Sequence, residues 1–356
     1  MSLISNFSEW INLGGPSLDS TYLLYENTGI NSLFFVPALI RSIISFITIL
    51  LNLSVIYITI KYRKKYSSIK SNISILLTIN SFFEILHQSG QFIFLVISAS
   101  GKNLIPFGKI VLFQTHSIIG FSSAIFMFTT LSFDRLLAVL FPIFYKTLNQ
   151  RQHIYLHFIL IILFNFYIIF IIIKTLNDYY NWPINGTIND FLELIRIENK
   201  LLASIPLLFT PPIILYFLIG LKLYFRKVNC LETMKKIYRS LFLIVFINIG
   251  GYLLTFLITL YIFMPFNYNQ LTIKYLILQN ISAIIVIIAS GSNGPILYIN
   301  SEDYNNAYKK EFKLIKQKIY KFFGIKQQKI IIKTIIVEST FKQNNCLNNF
   351  YKRKNN

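Results

Sequence analysis

Asp134 and Arg135 are adjacent, and Pro142 and Tyr145 follow the arginine by seven and ten residues. An acid beside a base can close on it in one state and release it toward a partner in another. Such a pair contributes little when exposed, but breaking it is costly once it is buried. A second acid, Glu84, lies inside a long apolar stretch. A charge at the centre of a membrane helix costs roughly 2.5–3.5 kcal/mol. Glu84 must therefore be neutralised by a proton or a cation, or share a polar network, with Asn52, Ser292 and Asn293 as the expected partners. The plainer alternative is a neutral Glu84 that only holds helices together. Arg41 precedes Asn52 by 11 residues, about 16 Å along a helix. It is expected to snorkel to the membrane surface rather than to contact an acidic ligand.

Seven polar residues inside apolar runs could line a binding site: His87, Gln91, Gln114, His116, Ser117, Asn248 and Gln279. Hydrogen bonding between helices is the competing role for each of them. Gln91 and His116 are the foremost ligand candidates. The four histidines and two cysteines, Cys230 and Cys346, show no spacing that suggests a zinc or haem site. No nucleophile–base pair stands out either, so the reading is a non-enzyme without cofactor or metal.

The elements that must carry these residues follow from composition. Of the 356 residues, 54% are hydrophobic and only 13% charged, about half the charged share of a soluble globular protein. The net charge is +20. Nucleic acid, a common partner of basic chains, is excluded, because the charge sits between long apolar runs. A transmembrane helix needs roughly 20 mostly apolar residues, and seven such stretches occur, at about 33–60, 73–98, 106–132, 154–174, 201–225, 240–264 and 275–299. The expected fold is an all-α membrane protein, a seven-transmembrane helix bundle with a short amphipathic helix on the inner leaflet. The third stretch is the weakest by hydropathy, which suits a helix with a polar seam at the bundle centre.

Lysines and arginines divide 27 to 7 between the two sides, and 14 to 7 when the residues after 299 are left out. The basic side is expected to be cytoplasmic, which puts the N-terminus outside and the C-terminus inside a plasma-membrane, multi-pass protein. The first 32 residues carry no lysine or arginine, so the first span is expected to act as its own insertion signal. Sequons at Asn6 and Asn185 fall on the outer side and are expected glycosylation sites. The expected organisation is an extracellular segment 1–32, a receptor domain 33–299, an amphipathic helix 300–324 and a basic tail 325–356.

Taken together, the motifs resemble a rhodopsin-like G-protein-coupled receptor, and more narrowly the nematode serpentine chemoreceptors of the Srsx class. The resemblance covers about residues 33–310. It rests on Leu51-Asn52-Leu53, on the stretch from Ile79 through Glu84 to Gly90, and above all on Asp134-Arg135-Leu136 with Pro142 and Tyr145. Gly250-Gly251-Tyr252, Asn293-Gly294-Pro295-Ile296-Leu297-Tyr298 and Ser301-Glu302-Asp303-Tyr304 complete it. The resemblance implies a small-molecule or peptide ligand among the outer halves of the helices and a heterotrimeric G protein at the inner face. It implies switch roles for Asn52, Glu84, Asp134, Arg135, Pro142, Tyr145, Asn293, Pro295 and Tyr298. Glu232 is a possible resting partner of Arg135.

Departures accompany it. The family usually has Asp at the place of Glu84. Ile110 stands where a disulfide cysteine is usual, and residues 175–200 contain no Cys, so the outer loops must be held by packing or be mobile. The sixth span lacks the usual Trp-x-Pro, which leaves Gly250-Gly251 as the expected source of a kink. Gly294 splits the usual Asn-Pro of the seventh. The outer half of the third span has no acid, which disfavours an amine ligand. A seven-span ligand-gated channel subunit, and a peptide receptor of the same fold, are the alternative readings.

Overall fold

The computed structural model describes residues 27–66, 68–147, 149–191, 205–225, 232–258 and 273–323. Asn6, Cys230 and Cys346 lie outside these, as does the side chain of Glu232. Among the described residues, five stretches are long and apolar enough to cross a membrane: Ser32–Tyr62, Asn72–Ala99, Phe107–Leu140, Arg151–Tyr179 and Gln279–Asn300. Shorter apolar stretches, Phe209–Ile219 and Phe242–Thr255, supply the other two. The chain is an all-α membrane protein built as a seven-helix bundle.

The first span is α1 (Ser32–Tyr62), begun by Asn31, whose Oδ1 accepts from the Leu33 amide at 2.9 Å. The second is split by Gly90 into α2 (Asn72–Ser89) and α3 (Gln91–Ala99). The third, α4 (Phe107–Leu140), is longer than its hydropathy suggests. A short helix, α5 (Pro142–Thr147), leads to the fourth span, α6 (Gln150–Tyr179), which Asn149 caps. The fifth and sixth are α7 (Ile205–Phe225) and α8 (Glu232–Ile258). The seventh is α9 (Ile273–Ser290) and α10 (Asn293–Asn300), and α11 (Glu302–Phe322) follows it. Compact units divide between Ala307 and Tyr308, so the first turn of α11 belongs with the bundle.

The third span sits at the centre, packed on α2, α6 and α7. Its polar residues are the reason. Gln114, Ser117, Ser123, Thr130, Asp134 and Arg135 are all buried, so the face that weakens its hydropathy faces helices rather than lipid. Large apolar side chains such as Leu112, Phe113, Phe166, Phe170, Phe217, Phe246 and Ile288 are exposed instead, as a lipid-facing surface requires.

Spans two and three approach closely because glycine lines their seam. A Cβ at Gly120 would lie 2.5 Å from the His87 amide nitrogen and 2.7 Å from the Phe83 carbonyl oxygen. A Cβ at Gly90 would overlap the Ser117 side chain. Small residues at this seam let two backbones pack without a side chain between them. Gly251 does the same against the seventh span, where its Cβ would lie 2.5 Å from that of Ala289. Gly250 faces open space, and α8 runs continuously through both.

At the end opposite the basic side, hydrogen bonds do the work of the missing disulfide. Strands β1 (Ile105–Pro106) and β2 (Pro183–Ile184) pair antiparallel. The amides of Phe107 and Gly108 donate to the carbonyls of Trp182 and Tyr180, each at 2.7 Å. Ile110 lies buried in one cluster with Trp182, Ile184 and Phe191. The described part of this loop is therefore held by backbone pairing and packing. Asn185 is only 2% exposed and its Oδ1 accepts from the Thr187 amide at 2.8 Å. A glycan there would require this turn to open.

Candidate functional site

At the basic end, α4 carries Asp134 and Arg135 on its buried face. Asp134 is fully buried and Arg135 is 5% exposed. The guanidinium donates to Asp134 Oδ2, with Nε at 3.1 Å. Pro142 opens α5, which returns the chain so that the Tyr145 hydroxyl donates to Asp134 Oδ1 at 2.9 Å. Burial, and then the negative charge of Asp134, hold the Tyr145 phenol above its usual range, so it stays a donor. One carboxylate thus holds the arginine of its own helix and the tyrosine of the following loop. This is a closed pair in a dry place, where opening is costly.

Two residues that sequence reasoning passed over complete this end. His153 and His157 are buried on α6, their rings edge to face at 4.6 Å. His153 Nδ1 lies 3.6 Å from Asp134 Oδ1, too far for a hydrogen bond. The four-residue histidine spacing is visible in the sequence; their meeting with Asp134 is a tertiary fact. The Ser301–Tyr304 stretch also docks here. Asp303 Oδ2 accepts from the Ser68 amide at 3.0 Å, and the Tyr304 and Thr59 hydroxyls pair at 2.9 Å. Burial raises the Tyr304 phenol above its ordinary range. Asn305 reaches back to the carbonyl of Tyr298 at 2.7 Å.

Midway along the bundle, Glu84 does not bond Asn52, Ser292 or Asn293 as expected. It is fully buried and meets His87 Nδ1 at 3.3 Å and the Tyr252 hydroxyl at 3.3 Å. The reason is helical phase: His87 is one turn along on the same face, while Asn52 points to the seventh span. Asn52 Nδ2 donates to the Ser290 carbonyl at 3.1 Å, and Asn293 Nδ2 donates to Asn52 Oδ1 at 3.3 Å. Asn248 Nδ2 reaches Asn293 Oδ1 at 3.1 Å and Ser292 Oγ at 3.3 Å. Gln88 joins the two groups, touching His87 Nδ1 at 3.3 Å and donating to Ser290 Oγ at 2.8 Å. Tyr252 is ringed by Phe121, Phe128 and Phe209. It fills the centre of a sixth span that has no tryptophan. Pro295 lies within α10, one helical turn before Tyr298.

Toward the opposite end, Arg41 does not snorkel. It is 1% exposed, donating to Gln91 Oε1 at 2.7 Å and Asn280 Oδ1 at 3.0 Å, with Phe94 under its guanidinium. Its Nε has no hydrogen-bond partner among the described residues. Helix distance placed it near the interface, but spans two and seven close over it. The other candidates bond neighbouring helices or, for Gln114, the loop after β2. Ser117 donates to the His87 carbonyl at 2.7 Å, His116 Nε2 meets Ser89 Oγ at 2.7 Å, and Gln114 reaches the Gly186 carbonyl at 3.4 Å. Gln279 is buried on the seventh span and Asn248 belongs to the mid-bundle network. Gln91 is thus the only one of the two foremost candidates bonded to a buried charge among the described residues.

A closed acid–base pair thus lies at one end, a polar network at mid-depth and a buried cation toward the other end. The family model described as serpentine type 7TM GPCR chemoreceptor Srsx matches residues 45–312, which is 268 of 356 residues. No curated protein matches the chain. The chain belongs to the Srsx family of serpentine seven-transmembrane chemoreceptors.

Proposed function

We propose that this receptor lies in the plasma membrane with its basic end in the cytoplasm, binds a small ligand among the opposite halves of its helices, and activates a heterotrimeric G protein at the basic end. The observation that carries the reading is the pair of Asp134 and Arg135 with Tyr145, buried at the end of the central helix. A seven-helix bundle with such a lock is a two-state element. In one state the carboxylate holds Arg135; in the other the arginine is free for the G protein. A ligand acts only through its different affinities for the two states. The 27-to-7 division of cations supports the orientation.

The buried guanidinium of Arg41, whose hydrogen-bond partners among the described residues are the neutral amides of Gln91 and Asn280, supports a ligand that carries an acidic or strongly accepting group. The absence of an acid from the outer half of the third span stands against an amine.

One experiment tests orientation and coupling together. Tags are placed before Met1 and after Asn356, and the receptor is expressed with G protein. The first tag is expected to be reached on intact cells and the second only after permeabilisation. Arg135→Ala is expected to abolish ligand-stimulated nucleotide exchange at unchanged surface expression. Normal exchange by that variant would overturn the coupling role, and reversed tags would bring the channel reading forward.

A further inference from the structure

Beside the acid of the lock, the basic end holds two histidines that the receptor reading does not use. Asp134 on the third span and His153 and His157 on the fourth are all buried, and one ligand atom from each lies within 4.8 Å of the others. We propose that these three residues form a binding site for a divalent transition-metal ion, with zinc the foremost occupant.

Three observations carry this. The first is the donor set. Two imidazoles and a carboxylate, with one position left for water, are a recurring protein environment for zinc. Imidazole nitrogen also selects transition metals over calcium and magnesium, which prefer oxygen alone.

The second is geometry. His153 and His157 are four residues apart on a helix, so their rings project on one face, where they lie 4.6 Å apart. His153 Nδ1 and Asp134 Oδ1 are 3.6 Å apart. Zinc bonds of about 2.0–2.1 Å in a tetrahedral site put ligand atoms about 3.3 Å apart. One pair of ligand atoms is thus nearly in place, and a His157 nitrogen lies within 4.8 Å of both.

The third observation is what the side chains lack. Both ring nitrogens of His157, and Nδ1 of His153, are buried without a hydrogen-bond partner among the described residues. A histidine packed only for its volume would still be expected to satisfy its ring N–H. Here the nitrogens face another imidazole and a carboxylate instead.

The carboxylate has room for the ion. An ionised carboxylate offers about four lone-pair directions. Arg135 takes two on Oδ2, and Tyr145 takes one on Oδ1. One direction on Oδ1 remains, and Oδ1 is the oxygen beside His153. An ion bound there draws on the same negative charge that holds Arg135, so its occupancy and the closed pair compete for one acid.

The test is metal binding, which stands apart from the G-protein reading. The full chain is purified without a polyhistidine tag and placed in lipid nanodiscs, with Cys230 and Cys346 replaced by Ser so that thiols do not compete. One zinc per chain is expected to bind and to raise the unfolding temperature. Cobalt is expected to give the visible absorption of a four- or five-coordinate nitrogen–oxygen site, and zinc is expected to displace it. His153→Ala and His157→Ala should each weaken zinc binding by at least about tenfold, the least that losing even a supporting group of a metal site costs. Unchanged affinity in both variants, or no zinc binding by the parent, would overturn the site. If the alanine variants fail to fold, the parent's cobalt spectrum decides: only the spectrum of aqueous cobalt would refute the proposal.

Discussion

Replacing Asp134 by Asn should switch the receptor partly on without ligand. Asp134 is fully buried and Arg135 nearly so, and the guanidinium gives two hydrogen bonds to Oδ2. The amide removes the charge and keeps one oxygen, for Arg135, so its NH2 group faces the Tyr145 hydroxyl, which must then accept rather than donate. Stranding a buried cation entirely costs about 3–5 kcal/mol. Because an amide oxygen remains, a penalty of about 2–3 kcal/mol on the closed state is the better figure. That is a shift of roughly 30- to 160-fold toward the open state, which carries a receptor 1% active at rest to between about a quarter and three-fifths active. Tyr145→Phe removes one neutral-to-charged hydrogen bond and leaves the ion pair. It should cost the closed state about 1.5 kcal/mol, the low end for a hydrogen bond to a charged group, roughly a 13-fold shift. The assay is basal nucleotide exchange in membranes, normalised to receptor number by a tag. The order must be Asp134→Asn above Tyr145→Phe above the parent. Basal exchange unchanged in Asp134→Asn, or higher in Tyr145→Phe than in Asp134→Asn, would refute the lock.

Two further outcomes can be read from thermal unfolding in nanodiscs. Gly120→Ala drives a methyl group against the His87 amide nitrogen and Phe83 carbonyl oxygen, both backbone, and should destabilise the bundle by about 1–3 kcal/mol; an unchanged midpoint would show that the seam has slack. Gln91→Leu strands the buried Arg41 with one partner fewer and should lower the midpoint more than Arg41→Met, which removes the charge itself; the reverse order would show that Arg41 is not held by Gln91.

Legibility followed sequence distance and helical phase. Asp134–Arg135 was readable because the partners are adjacent, and Tyr145 because a proline-opened turn returns the chain after a short interval. The third span's polar residues were readable as a central seam for the same reason that hydropathy undervalued them: they face other helices. The partners of Glu84 were misassigned because depth in the membrane was known and azimuth was not. Asn52, Asn293 and Asn248 share its depth class but bond each other. Arg41 was misread because rise along a helix says nothing about what closes over its end. The pairing of Asp134 with His153 and His157 needed the crossing of the third and fourth spans, which no local pattern encodes.

The chain's departures from its family's usual pattern are compensated locally. Where a disulfide would tie the loop after the fourth span to the third span, a two-residue ladder and two amide bonds do so, around a buried Ile110. Those bonds can break and reform without redox chemistry. Where a tryptophan would fill the sixth span, Tyr252 packs against Phe121, Phe128 and Phe209 and also bonds Glu84. A tyrosine there does two jobs, packing and hydrogen bonding, so moving it breaks a polar contact as well as a stack. From Tyr252 the bonds pass through Glu84, His87, Gln88 and Ser290 to Asn52 and Asn293. The sixth span cannot rotate far without disturbing the second and seventh. Rigid helices joined by such bonds have few intermediate positions, which is the property a two-state switch requires.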